Sequence, residues 1–452
     1  MRTGRICVVA LGAVAAAAWS LPPVDARPTA PTIAVASTAT QSFAARVTWD
    51  VDRPAQVVVA VGAGTEPAVW SEVVHARRAG RYTTSLTPLE AATTYRAVVT
   101  AAAGGRQAIT ETTFRTGTMP AKVKARTTPL GLKVNTRLLF PRMVFRQCPS
   151  AFPASVAAGI NVFFGTACGT AQQSMAALAG KALLVPEVTP RADGPAVIGW
   201  HQLDEADVLV PPETLPLLPP SRRTGRTTFL TLSNHAWSGA AQLPGAATLY
   251  PALAARAEMI GIDLYPLQSF CNKALLGAVY AVQRELVALA PGKPTYQWIE
   301  ADPMSVCAGL DPSPAIVRAE TWLAIAGGAR GIGWFPENWR PTVRAEITRL
   351  STEIRSLAPA LLGPEVPVAV AAPSVVRAGG RSFHGATYVI AVNPSFARVG
   401  ARITVPGLGR GARTLRVWGE DRTVTAVNGT FADRFRGLQA RVYVLPPTGF
   451  GG

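Results

Sequence analysis

Four apolar runs in the middle of the chain end in residues that can do acid–base chemistry. Val197 to Leu203 is followed by Asp204 and Glu205, Met259 to Ile262 by Asp263 and Tyr265, and Thr295 to Ile299 by Glu300, with Trp298 inside that last run. A fourth run passes through Trp334 and Phe335 to Glu337 and Trp339. A carboxyl group that keeps its proton can assist a departing oxygen, and an ionised one can attack carbon. Glycosidic bonds are cut by such pairs. Indole and phenol rings nearby offer the apolar faces on which sugar rings stack. Plainer roles exist for each: Glu205 can open a helix at its positive end, Glu300 can sit in a rim ion pair, and Asp263 and Glu337 can accept loop hydrogen bonds. His201 and His235 read as structural histidines.

These residues need a scaffold that delivers strand ends to one place. Strands are expected at Leu138 to Phe145, Asn161 to Gly165, Ala182 to Glu187, Val197 to Leu203, Thr227 to Ser233, Met259 to Tyr265, Thr295 to Glu300 and Gly331 to Phe335. Helical patterns run from Ala274 to Leu289, Ala315 to Ala326 and Arg344 to Leu357. A repeat of roughly 28 residues per strand fits a (β/α)8 TIM barrel, whose strands all end at one rim. The rival doubly wound sheet usually carries a Gly-rich phosphate turn, and neither GxGxxG nor GxxxxGK[ST] occurs. On the sixth strand Ile260, Ile262 and Leu264 alternate with Gly261, Asp263 and Tyr265, so the apolar set can face helices while Asp263 and Tyr265 face the mouth.

With these strand ends placed, the chain resembles the retaining glycoside hydrolases of the clan A barrel type. That resemblance implies an acid/base Glu after strand four and a nucleophilic Glu after strand seven, matched by Glu205 and Glu300. Their spacing of 95 residues (300 − 205) is about three βα units. It also implies that Tyr265 orients the nucleophile and that Trp334 forms a sugar platform, with Asp204, Asp263, Trp298 and Glu337 as further substrate-binding residues. One departure is Asp204, where the family has Asn: a second anion beside Glu205 raises its pKa, and the amide that binds the sugar 2-hydroxyl is lost. The expected activity is hydrolysis of a poly- or oligosaccharide without a cofactor. A noncatalytic carbohydrate-binding or surface-attachment protein is the alternative, and no GxSxG elbow supports a serine hydrolase.

The flanks are expected to be β-rich. Residues 27–118 carry short strand-like runs, and Leu86-Thr87-Pro88-Leu89 with Thr94 to Val98 resembles a fibronectin type III domain. Met119 to Lys133 reads as a Pro-, Lys- and Thr-rich lead into the barrel, which spans 119–363. Residues 364–452 read as a second β-sandwich, whose Tyr388 to Pro394 strand resembles those that follow such barrels. Gly407 to Gly411 is expected to be a turn, since no helix follows it.

At 452 residues, 48% hydrophobic and only 16% charged, with 40 Gly and 38 Pro, the composition excludes a coiled coil or a disordered tail. Residues 1–26, with Arg2, Arg5 and an apolar run from Ile6 to Trp19, read as a cleaved export signal, which implies a secreted or extracellular protein, free or cell-surface associated, with no membrane span once the signal is removed. Export permits disulfides. Beyond Cys7, Cys148, Cys168, Cys271 and Cys307 allow three connectivities, and pairing Cys148 with Cys168 and Cys271 with Cys307 would tie neighbouring loops. No metal site is expected from four scattered histidines and no CxxC. The formal charge of +17 suits an acidic cell-surface polymer as a partner beside the carbohydrate substrate; no nucleic-acid motif appears.

Overall fold

Residues 29–447, apart from 67, 71, 121, 189–190, 210–212, 215–224, 305 and 337, are described by the structure, a computed structural model. The expected export segment and Glu337 lie outside the described residues.

Strands buried on both faces read as unbroken apolar runs, which is how the central barrel announces itself. Its eight parallel strands are β1 (Arg142–Phe145), β2 (Val162–Phe164), β3 (Leu183–Val185), β4 (Gly199–His201), β5 (Thr227–Leu232), β6 (Met259–Asp263), β7 (Thr295–Glu300) and β8 (Ile332–Phe335). Hydrogen bonding runs β3-β2-β1-β8-β7-β6-β5-β4. Isolated parallel bridges, Leu184 to Val197 and Glu187 to His201, span the remaining gap and nearly close the barrel. Each strand falls within an expected run, but the first run is broken at Pro141, and only its second half joins the barrel.

The helices are α1 (Phe152–Ala157), α2 (Ala171–Leu178), α3 (Ala206–Leu209), α4 (Ala246–Ala255), α5 (Ala278–Leu289), α6 (Pro314–Gly327) and α7 (Pro341–Leu361). Ile260, Ile262, Ile299, Ile332 and Trp334 pack on the helix-facing side, whereas Met143, Phe164, Phe229, Tyr296 and Trp298 fill the interior. Two glycines make room for the largest rings. A Cβ at Gly261 would lie 2.0 Å from the Tyr296 ring, and one at Gly333 would lie 2.1 Å from the Trp298 ring.

The lead segment Met119 to Lys133 and the start of the first expected run form a structure of their own. Ala125–Thr128, Gly131–Val134 and Arg137–Leu139 make a small antiparallel sheet. Its Leu132, Val134 and Leu139 join the barrel's interior core and plug the end where β1 begins.

Ahead of it, residues 33–115 form a three-stranded and a five-stranded antiparallel sheet. Alternation buries Ala45, Val47, Trp49 and Val51, and the Trp49 indole donates to the Thr84 hydroxyl at 3.0 Å. This module is fastened to the barrel by Glu90, whose carboxylate pairs with Arg142 at the root of β1 and with Arg355 of α7. Burial pushes the Glu90 carboxyl up, but the two guanidiniums outweigh it and hold it below the usual range. The Ala63 amide also donates to the Ser356 hydroxyl at 2.9 Å.

After α7, nine strands between Glu365 and Leu445 hydrogen-bond into one antiparallel sheet rather than the two separate layers of a sandwich. The sheet curls around Ile403, Leu415, Phe431 and Tyr443. It lies against α6 so closely that a Cβ at Gly379 would sit 2.1 Å from the Ala326 carbonyl. The Gly407 to Gly411 segment is a short turn, as expected.

Candidate active site

The end of β4 carries the densest group of carboxyls at the mouth. His201 is enclosed; its Nε2 lies 3.1 Å from the Thr231 hydroxyl. That hydroxyl also meets the Tyr296 phenol at 2.9 Å and accepts from the Trp298 indole at 3.3 Å. Burial pushes His201 down to about 3, so the ring is neutral at pH 7 and its 3.9 Å approach to Asp204 is not an ion pair. Asp204 is pushed up to about 6 by burial, then by Glu205, with Arg146 opposing and Glu187 adding to the rise.

Glu205 has a left-handed backbone, φ +46°, which side-chain-bearing residues adopt at a cost and which clusters at functional positions. Its carboxyl is raised by burial, then by Asp207, and eased by His235. The next acid, Asp207, points inward. Its two oxygens accept from the Ser233 amide at 2.9 Å and hydroxyl at 2.7 Å, pinning α3 to the end of β5. Of the acidic run after β4, Asp207 is therefore the structural member, and Asp204 and Glu205 are left at the rim.

From β6, Asp263 and Tyr265 reach the same region. Asp263 is raised well above the usual carboxylate range by burial first, then by the charges of Asp204 and Glu205. Its Oδ1 is buried with no hydrogen-bond partner among the described residues. The Tyr265 ring stacks on Phe335 at 6.1 Å, and burial and Asp263 both raise its phenol. The floor beneath is aromatic: Trp298 is 2% exposed and meets Phe145 and Phe164 edge-on at 5.7 and 5.5 Å. Beside the end of β4, Arg146 and Glu187 approach to 3.7 Å, with Thr166 donating to Glu187. Both were missed, although Glu187 closes the third expected strand and the strand-end rule reaches it.

Glu300 is placed differently from the expectation. It is fully buried, and its two oxygens accept from the Leu267 and Gln268 amides, each at 2.8 Å. Beside it lies Glu320 of α6, also fully buried, neither of whose oxygens has a donor among the described residues. Burial and the neighbouring Glu300 raise Glu320 well above its usual range. The chemistry that satisfies both is a protonated Glu320 donating to an ionised Glu300. Glu300 is thus engaged by the loop after Tyr265 and by Glu320 of α6, whereas Glu205 stands half-buried in the segment after β4.

Trp334 also departs from its expected place. It is fully buried on the helix side, its indole donating to the Thr321 hydroxyl of α6 at 3.2 Å, so it offers no face to a ligand. The adjacent Gly333 is the inward residue, which by strand alternation turns Trp334 outward.

Both expected disulfides are present at this end of the barrel. Cys148 joins Cys168 and Cys271 joins Cys307, with Cα atoms 5.1 and 5.3 Å apart. Gln268 adds to the second link by donating to Leu310 and accepting from the Met304 amide. Among the described residues no group of three or more His, Cys, Asp or Glu is arranged to hold a metal ion.

No family model and no curated protein matches the chain. Among solved structures, a β-glucuronidase from Ruminococcus gnavus in complex with D-glucuronic acid matches at 10% identity and a TM-score of 0.37, covering 68% of this chain and 60% of that one. The apo form of β-glucuronidase from the same organism matches at 11% and 0.35, covering 68% and 62%. The chain thus spans about three fifths of the length of these enzymes, and at this identity no residue role transfers from them.

Proposed function

We propose that the protein is a glycosidase-type hydrolase that acts on a carbohydrate at the barrel mouth, with Asp263 and Glu205 as its working carboxyls. The carrying observation is that Asp204, Glu205 and Asp263 gather at the mouth from two strand ends, with Asp263 buried, its carboxyl raised by burial and by the charges of the other two, and its Oδ1 unpartnered among the described residues. Carboxyls whose environments push their pKa values apart are suited to opposite roles. Burial and the two neighbouring charges favour the protonated form of Asp263, which gives its proton to the departing glycosidic oxygen. Glu205 is the anion that attacks the anomeric carbon or takes a proton from water. Asp204 tunes both, and Tyr265 holds Asp263 in place. Glu300 acts at one remove, fixing the loop that follows Tyr265.

The test uses Asp263→Asn and Glu205→Gln with a panel of aryl glycosides and polysaccharides, read as leaving-group or reducing-end release. Each variant should lose activity by about a thousandfold or more, in the range that loss of acid–base or covalent catalysis produces, with little change in melting temperature. Full activity in either variant overturns the assignment.

The second reading is a noncatalytic carbohydrate-binding protein. It draws support from the sealed position of Glu300 and the outward turn of Trp334, the two places where the resembled hydrolases keep a nucleophile and a platform. Glycan binding with no bond cleavage across the panel would favour it. The two disulfides support an extracellular setting, and no helix among the described residues is long and apolar enough to cross a membrane. Residues 1–26 as an export signal, 27–118 as a fibronectin type III-like module and 364–452 as the final domain complete the proposal.

A further inference from the structure

Between Glu111 and Glu187 the chain carries nine Lys and Arg residues and no carboxylate. Arg142 is answered by Glu90 and Arg146 by Glu187. Much of the rest collects on the small sheet that plugs the barrel. Along its first strand and the approach to it, Lys122, Lys124 and Arg126 are exposed while Val123 and Ala125 are buried, so the three cations share one face. Lys133 on the next strand stands directly opposite Arg126 in the register. Like charges directly opposite destabilise a strand pair. Among the described residues none of Lys122, Lys124, Arg126, Lys133 and Arg137 has an ion-pair partner. Other arginines, such as Arg226 with Asp193 and Arg441 with Asp433, are answered.

The face is also concave. Lys124, Arg126, Lys133, Asn135, Thr136 and Gly225 line a cavity of about 460 Å³ that includes no carboxylate and no aromatic ring. Its edge is rigid: Asn135 and Thr136 have φ of +47° and +73°, and the Asn135 side chain accepts from the Lys124 amide at 2.8 Å. Unanswered cations on a fixed, hollow floor form a receptor for an extended anion. The lack of rings removes the stacking on which single-stranded nucleic-acid sites rely.

We propose that this face docks an acidic polysaccharide, its uronate or sulfate groups supplying the counter-ions that the sheet lacks. The site lies at the end of the barrel opposite Asp204, Glu205 and Asp263, so it stands whether or not the mouth is hydrolytic.

The experiment measures binding of the full chain to immobilised polygalacturonate, dextran sulfate and neutral dextran over a range of salt. The triple variant K124E/R126E/K133E is compared with R77E/R78E/R106E, which reverses three arginines on the N-terminal module. The first should lose affinity tenfold or more and flatten the plot of log affinity against log salt by about two to three units, as expected when about three charge contacts cease releasing counterions. The second should change affinity less than about threefold, and both should melt with the wild type. A preference between the two charged polymers identifies uronate or sulfate as the ligand group. Equal loss in both triple variants, absence of wild-type binding to either charged polymer, equal binding to neutral dextran, or equally tight binding of a short DNA duplex with the same variant sensitivity would each overturn the proposal.

Discussion

Replacing Glu300 by alanine separates a reacting group from a structural one. As a nucleophile at the mouth, Glu300 would be dispensable for folding, and its loss would end turnover at an unchanged melting temperature. The geometry gives the opposite expectation. Its two oxygens are the acceptors for the Leu267 and Gln268 amides, and its ionised form is the acceptor for the Glu320 proton. Alanine orphans three donors in a fully buried place, at about 1 to 3 kcal/mol each, so the expected loss is about 5 kcal/mol. For a folding unit of barrel size, about 2 to 4 °C per kcal/mol gives a fall of about 10 to 20 °C. Glu300→Gln keeps one acceptor oxygen and should cost about half as much. Asp263→Asn serves as the comparison: Oδ1 has no partner to lose, so its melting temperature should stay within about 3 °C of the wild type. The assay is thermal unfolding at pH 7 followed by circular dichroism. An E300A protein that melts within about 2 °C of the wild type yet has lost carbohydrate turnover would refute this reasoning and restore Glu300 as nucleophile.

Three further outcomes are expected. Glu320→Gln leaves an amide that can donate to Glu300 at any pH, whereas wild-type Glu320, with its pKa raised on folding, stabilises the fold fully below about pH 4 and loses that contribution as pH rises through the folded value. The melting temperature of the variant relative to wild type should therefore climb from pH 4 to pH 9, and a gap that narrows with pH would contradict the shared proton. Glu90→Ala leaves Arg142 buried without a counter-ion and should cost about 3 to 5 kcal/mol, measured by urea unfolding. Trp334→Phe should cost about 1 to 2 kcal/mol through its lost bond to Thr321, with KM for any cleaved substrate unchanged, because the ring faces α6.

The eight barrel strands were legible because a parallel strand covered on both faces is a run of apolar residues bounded by turns. The same property hides which way each residue points. Trp334 and Phe335 are both large and apolar, and only the register that sets Gly333 beside the Trp298 ring decides that Trp334 faces out. The direction of Glu300 depended on a partner about twenty residues on. Glu320 is the one carboxylate in the apolar helix α6, a signal visible in the chain but without meaning until that helix is laid against β7. On β6, where small or polar residues alternate with Ile and Leu, Asp263 was placed from pattern alone. In the C-terminal region the strands were legible but their pairing was not, since alternation marks a buried face without saying whether one sheet or two encloses it.

Glu90 carries a consequence for any attempt to dissect the molecule. A fragment that begins at residue 119 would keep every barrel strand yet strand the Arg142 guanidinium in a dry site at the foot of the first, beside a second cation, Arg355, facing the same void. The barrel is thus not an autonomous piece: the preceding module is part of its foundation, and shorter expression products should emerge insoluble or molten rather than merely weaker.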